Sequence, residues 1–176
     1  MIFNSRKKHI ILIGMPGSGK STIGGLLSKR LNLPFVDMDE EFERITGDKI
    51  NSFWANVGEL GFRMIERLIL MNLINGPQLI LSSGGGCPIF MDNMHLIEQE
   101  ASVYLKCSPQ VLFDRVKGSN RSIYKAHESN LYEEINQLLS SRVQFYERAE
   151  AIFDASLEIE SVLNNLYNHS FIISNL

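Results

Sequence analysis

The sequence predicts an α/β protein, a three-layer α/β/α fold on a five-stranded parallel sheet. Short apolar runs of strand length (10–13, 35–37, 78–82, 102–105 and 152–154) alternate with longer segments whose apolar residues recur at helical spacing. The first run opens directly into a glycine-rich turn, Gly14-Met15-Pro16-Gly17-Ser18-Gly19-Lys20-Ser21, and then into a helix. Strand, glycine turn and helix in that order make a P-loop, in which successive backbone N–H groups and a helix N-terminus converge on phosphate oxygens.

Ile10-Ile11-Leu12-Ile13 is apolar at every position, as a strand buried on both faces requires. From Thr22 to Leu31, the residues Ile23, Leu26, Leu27 and Leu31 recur at helical spacing. Lys29 and Arg30 fall where the helix dipole favours cations, and Pro34 blocks continuation. Phe35-Val36-Asp37 is the second strand, and its end delivers Asp37 and Asp39 to the sheet edge that carries the P-loop. The helix from Asp39 to Ile45 has acidic residues in its first turn and ends at Gly47. A helical region starts at Lys49 and extends from Gly58 to Leu73, with Phe62, Ile65, Leu68, Ile69, Met71 and Leu73 as a broad buried face. Asn75-Gly76-Pro77 stops it.

Gln78 to Ser82 is the third strand, followed by Gly84-Gly85-Gly86, where another group must approach the backbone closely. Asp92 is placed to cap a helix running to Glu100, and Ser102 to Leu105 is the fourth strand. Ser108 and Pro109 suit the N-cap and first position of a helix through Lys117. Gly118 to Asn130 has no periodicity and reads as a functional lid. Leu131 to Ala149 is a long amphipathic helix, Ile152-Phe153-Asp154 the fifth strand and Ile159 to Tyr167 the last helix. No repeat, low-complexity stretch or linker interrupts residues 1–176, which predicts one domain.

A hydrophobic fraction of 44% and a charged fraction of 21% are those of an ordinary globular chain. The net charge of −3 gives no electrostatic footprint for nucleic acid. No stretch reaches membrane-spanning length, and Met1 to His9 is too polar for a signal peptide, so the expectation is a cytoplasmic protein without a membrane partner. Cys87 and Cys107 match no metal-ligand spacing and are expected as reduced, buried thiols. The chain is long enough to be stable alone, and a monomer is expected.

The P-loop assigns Lys20 to the β- and γ-phosphates of a nucleotide and the Ser21 hydroxyl to Mg²⁺. No guanine-reading Asn-Lys-x-Asp follows a later strand, and the chain is too short for a motor ATPase, which leaves a small phosphotransferase. Of Asp37 and Asp39, one can support Mg²⁺ while the other takes a hydrogen bond or proton from an acceptor hydroxyl. Arg63, Arg121 and Arg142 each accompany an element expected to end near this site, and arginine suits bidentate recognition of carboxylate or phosphate.

Taken together, these residues resemble the shikimate kinases almost end to end. The resemblance rests on residues 14–24, Phe35 to Asp39, Gly58-Glu59 with Phe62-Arg63 and Glu66, and Gly84-Gly85-Gly86. It continues through Tyr104-Leu105, Arg121, and Arg142 with Tyr146 to Ala149. It implies a P-loop fold like that of the nucleoside monophosphate kinases and transfer of the ATP γ-phosphate to the 3-hydroxyl of shikimate, on the route to chorismate and the aromatic amino acids. Gly17, Ser18, Gly19, Lys20, Ser21 and Thr22 would then wrap the ATP phosphates, with Ser21 and Asp37 serving Mg²⁺. Asp39 would bind the acceptor hydroxyls and handle the proton, and Arg63 and Arg142 would clamp the carboxylate. Gly84 and Gly85 would offer N–H groups, Arg115 would meet adenine, Arg121 would close with the lid, and Glu66 would orient Arg63.

Two features depart from the family pattern. The lid reads Arg121-Ser122-Ile123 where Arg-Pro-Leu is common, and no proline lies between Asp154 and Val162 on the adenine side. A gluconate kinase would share the P-loop with less need of two arginines aimed at a carboxylate beside the Asp-x-Asp and triple-glycine set; a non-catalytic nucleotide-binding relative has the altered lid in its favour, and Lys20, Asp39, Arg63 and Arg142 against it.

Overall fold

The structure is a computed structural model that describes residues 9–117 and 128–169. Its five strands are β1 (Ile10–Ile13), β2 (Phe35–Asp37), β3 (Ile80–Ser82), β4 (Ala101–Lys106) and β5 (Ala151–Asp154). They form one sheet in the order β2-β3-β1-β4-β5, and every pairing is parallel. The helices are α1 (Lys20–Leu31), α2 (Met38–Thr46), α3 (Ile50–Ile74), α4 (Asn93–Glu98), α5 (Pro109–Val116), α6 (Glu128–Tyr146) and α7 (Ile159–Tyr167), and a 3₁₀ turn spans Cys87–Ile89.

β1 is central and all four of its side chains are fully buried. Burying each apolar side chain of this size stabilises the fold by about 1.5–3 kcal/mol. Ile10 pairs with Ile80 on one side and Ala101 on the other, so the strand ends that follow Ile13, Ser82 and Tyr104 emerge along one edge. The chain passes from β1 through α1 to β2 on one side and later reaches β4 on the other. Ligand crevices of parallel sheets lie outside the strand ends at such a reversal.

Several boundaries follow the expected chemistry. Gly47 closes α2 in the left-handed conformation (φ 75°), and the Ser108 hydroxyl caps α5 by accepting from the Val111 N–H at 3.3 Å. The helical region expected to run on through Gly58 is interrupted there, where φ 85° and ψ 173° leave the helical range within α3.

Other expectations are corrected. Asp92 does not cap α4 with its side chain; its carboxylate is held by Arg67 at 2.7 Å, and the helix ends at Glu98. The long helix begins at Glu128 and stops at Tyr146, because a tight turn takes over, with the Arg148 N–H bonding Phe145 and that of Ala149 bonding Tyr146. Leu68 and Met71, expected in the buried face of α3, lie outside it at 58% and 38% exposure; Arg63, Glu66 and Leu70 take the inner positions instead. Most of the expected lid, including Arg121, lies outside the described residues.

Candidate active site

The P-loop joins β1 to α1 with Gly17 and Gly19 both in the left-handed region, at φ 89° and 93°. A side chain at Gly17 would place its Cβ 2.6 Å from Val116, so the turn needs glycine for space as well as conformation. The first α-helical bond of α1 runs from the Ile23 N–H to the Gly19 carbonyl at 2.8 Å, so the helix N-terminus stands directly after the glycine turn. The Lys20 side chain is buried and arches back over the loop, donating to the carbonyls of Gly14 and Met15 at 3.0 Å each.

Beside the P-loop, the Ser21 hydroxyl donates to Asp37 Oδ2 at 2.5 Å. The other Asp37 oxygen accepts the Asp39 N–H at 2.9 Å and so caps α2. One carboxylate thus starts a helix and faces the loop hydroxyl. Its pairing with Ser21 offers two hard oxygen donors at the phosphate cradle, which fits Mg²⁺, an ion that takes one or two protein oxygens and fills its octahedron with water and phosphate. Among the described residues no cluster of three or more His, Cys, Asp or Glu could hold a metal by itself.

On one flank a cavity of about 220 Å³ is lined by Gly17, Thr22, Arg115, Leu157, Ile159 and Val162, among others. Arg115 comes from the end of α5, and its guanidinium meets the Cys107 sulfur at 3.4 Å. The segment without proline therefore borders this cavity beside the P-loop with leucine and isoleucine.

A second cavity, of about 380 Å³, is lined by Glu59, Leu60, Arg63, Gly86, Ile89, Phe90 and Arg142. Arg63 and Arg142 are each only 7% exposed. The Arg63 guanidinium lies 5.0 Å from the Phe62 ring centre and 5.5 Å from that of Trp54, and it donates to Glu66 Oε2 at 2.6 Å. Glu66 is itself buried, so this is an interior ion pair rather than a solvated helix pair. Burial pushes the Glu66 carboxyl up, and the Arg63 charge opposes that shift. Arg142, from α6, carries a buried Nη1 without a hydrogen-bond partner among the described residues.

The triple glycine after β3 connects the two sides. A Cβ at Gly84 would lie 2.2 Å from Glu66 Oε1 and 3.5 Å from Asp39 Oδ1; one at Gly85 would strike Pro16 at 2.8 Å; one at Gly86 would sit 2.1 Å from the Arg63 guanidinium. Arg63, the carboxylates of Glu66 and Asp39, and Pro16 of the P-loop thus all pack against the same bare backbone.

Sequence reasoning assigned no role to Tyr146, which is fully buried and donates its hydroxyl to the Gly85 carbonyl at 2.5 Å. Burial pushes its phenol up to about 12, which keeps it a donor. The signal available was its position four residues after Arg142, on the same helical face. Both cysteines are free and buried, and burial raises both thiols.

A parallel α/β sheet with a P-loop at its central strand, flanked by a cavity beside the loop and by a second, arginine-lined cavity, is the architecture of a P-loop phosphotransferase. Residues 16–169 match the family described as shikimate kinase, and the chain belongs to that family. It is 35% identical over 151 residues to the shikimate kinase of Bacteroides thetaiotaomicron, covering 84% of this chain and 86% of that one. It is 37% identical over 138 residues to the bifunctional shikimate kinase/3-dehydroquinate synthase of Thermotoga maritima, covering 78% of this chain but spanning only 27% of that protein. The solved structure of shikimate kinase from Acinetobacter baumannii in complex with shikimate superposes with a TM-score of 0.87 at 28% identity, covering 96% of this chain and 94% of that one.

Proposed function

We propose that the chain transfers the γ-phosphate of ATP to the 3-hydroxyl of shikimate, giving shikimate 3-phosphate and ADP. The observation that carries this reading is the pair of buried guanidinium groups in the acceptor cavity, Arg142 with an unpartnered Nη1 and Arg63 braced by Glu66. A buried cation is costly without an anion, and a ring carboxylate answers both arginines at once.

In this reading Gly17 to Thr22 and Lys20 hold the nucleotide phosphates, and Arg115 meets the base. Ser21 and Asp37 would hold Mg²⁺, which supplies charge neutralisation on the phosphate oxygens when bound. Arg63 and Arg142 fix the acceptor by its carboxylate, and Gly84 and Gly85 present backbone N–H groups beside it. Asp39 accepts the proton of the attacking hydroxyl as that oxygen bonds to the γ-phosphorus and the bond to the departing ADP oxygen breaks. Lys20 stabilises the charge that develops on the transferred group. Arg121, from the segment expected to cover the site, would add a second cation there.

ADP release measured with shikimate, quinate and gluconate side by side tests the assignment. Turnover with shikimate alone is expected; turnover only with gluconate, which would use the same P-loop with another acceptor, would overturn it.

A further inference from the structure

Gly84 to Cys87 form a β-turn, closed by the Cys87 N–H donating to the Gly84 carbonyl at 3.0 Å, with Gly85 and Gly86 at its centre. Gly86 stands at φ −96° and ψ −9°, the values of a type I turn. Turning over the single peptide between Gly85 and Gly86 gives a type II turn, which needs positive φ at the second central residue and is disfavoured for most residue types. Glycine leaves that alternative open. A side chain at Gly86 would favour type I, but its Cβ would lie 2.1 Å from the Arg63 guanidinium. The orientation of this peptide therefore has to be set by a group outside the turn.

The Tyr146 hydroxyl donates to the Gly85 carbonyl at 2.5 Å, and this carbonyl belongs to the peptide that would turn over. The donor is firmly held: Tyr146 is fully buried, its ring centre lies 5.1 Å from that of Tyr104, and Tyr104 is paired in β4 beside Ile13. Burial pushes the phenol up to about 12, so it keeps the proton it donates. In a planar trans peptide the N–H points opposite to the carbonyl, so the Gly86 N–H is directed away from Tyr146. Gly86 is a buried residue that lines the cavity of Arg63 and Arg142, and no acceptor among the described residues takes its N–H. A buried N–H left unpaired by the chain is rare and suits an acceptor brought from outside.

We propose that Tyr146 is a positioning residue: its hydroxyl fixes the Gly85–Gly86 peptide in the type I orientation and so keeps the Gly86 N–H aimed into the arginine cavity, as a further donor for the acceptor carboxylate. The inference rests on that cavity being the acceptor site. Arg142 lies four residues before Tyr146, so α6 supplies a cation to the cavity directly and sets the direction of a backbone donor through its last residue.

Tyr146→Phe removes the hydroxyl and keeps the ring against Tyr104. In glycine-labelled full-length protein without ligand, a strong nuclear Overhauser contact from the Gly85 Hα to the Gly86 amide marks the turned-over peptide; it is expected to be weak in the wild type and strong in Tyr146→Phe. Initial rates are expected to show the KM for shikimate raised roughly tenfold in the variant, with kcat and the KM for ATP within about twofold of the wild type. Para-aminophenylalanine at position 146 restores an N–H donor at the same place and is expected to return both readouts toward the wild type. Should Tyr146→Phe fold poorly, para-fluorophenylalanine, which fills the hydroxyl's place with no proton to give, serves as the non-donating variant. An Overhauser contact that stays weak without the hydroxyl, or KM values for shikimate and ATP that rise together, overturns the proposal. A wild type without shikimate turnover overturns the functional reading and with it the carboxylate; the Overhauser contact then tests the positioning role by itself.

Discussion

At the scale of the residue, the acceptor cavity turns on how arginine and carboxylate are presented. Arg142→Lys keeps the charge but loses the planar fork, so the KM for shikimate is expected to rise roughly ten- to a hundredfold with kcat little changed. Initial-rate kinetics check this, and an unchanged KM would remove Arg142 from the clamp. Asp39→Asn keeps the shape of the side chain but not its proton affinity, so kcat should fall about 10²- to 10⁴-fold, while shikimate binding measured by calorimetry changes little. Much of this was legible in the sequence, because Lys20, Ser21, Asp37 and Asp39 stand at positions fixed by the strand ends. Burial of the Arg63–Glu66 pair was not, since spacing along one helix says nothing about what covers it. Spacing places Tyr146 on the face of Arg142 but not its partner, because the Gly85 carbonyl lies 61 residues away in the chain.

At the scale of the element, the loop after β3 is the backbone against which Pro16 of the P-loop, Asp39, Glu66 and Arg63 all pack. Its three glycines were readable as a point of close approach, but which groups approach became clear only in three dimensions. Gly86→Ala would set a methyl group 2.1 Å from the Arg63 guanidinium and force that side chain to move. Such overpacking costs about 1–3 kcal/mol, and because the displaced group lines the acceptor cavity, the KM for shikimate should rise more than the KM for ATP. Equal effects on both would detach the loop from acceptor binding. The same scale explains the misplaced residues of α3: Leu68 and Met71 have the composition of a core face, but Phe62, Arg63, Glu66, Ile69 and Leu70 take the inner positions. Helical periodicity finds an apolar stripe without telling which stripe a sheet will cover.

At the scale of the whole molecule, strand order converts a sequence of alternating elements into one functional edge. β1 at the centre supplies the P-loop, β2 supplies Asp37 and, at the head of α2, Asp39, and β3 supplies the glycines between them. The parallel sheet was legible from apolar runs and connection lengths. The order β2-β3-β1-β4-β5 was not, because non-local pairing leaves no local pattern. If both halves of this edge act on one transfer, every ADP formed leaves its phosphate on shikimate. Nuclear magnetic resonance of the products made from ATP and shikimate is expected to find phosphate on the 3-oxygen of shikimate in one-to-one ratio with ADP; ADP formed without any phosphorylated shikimate would separate the two halves.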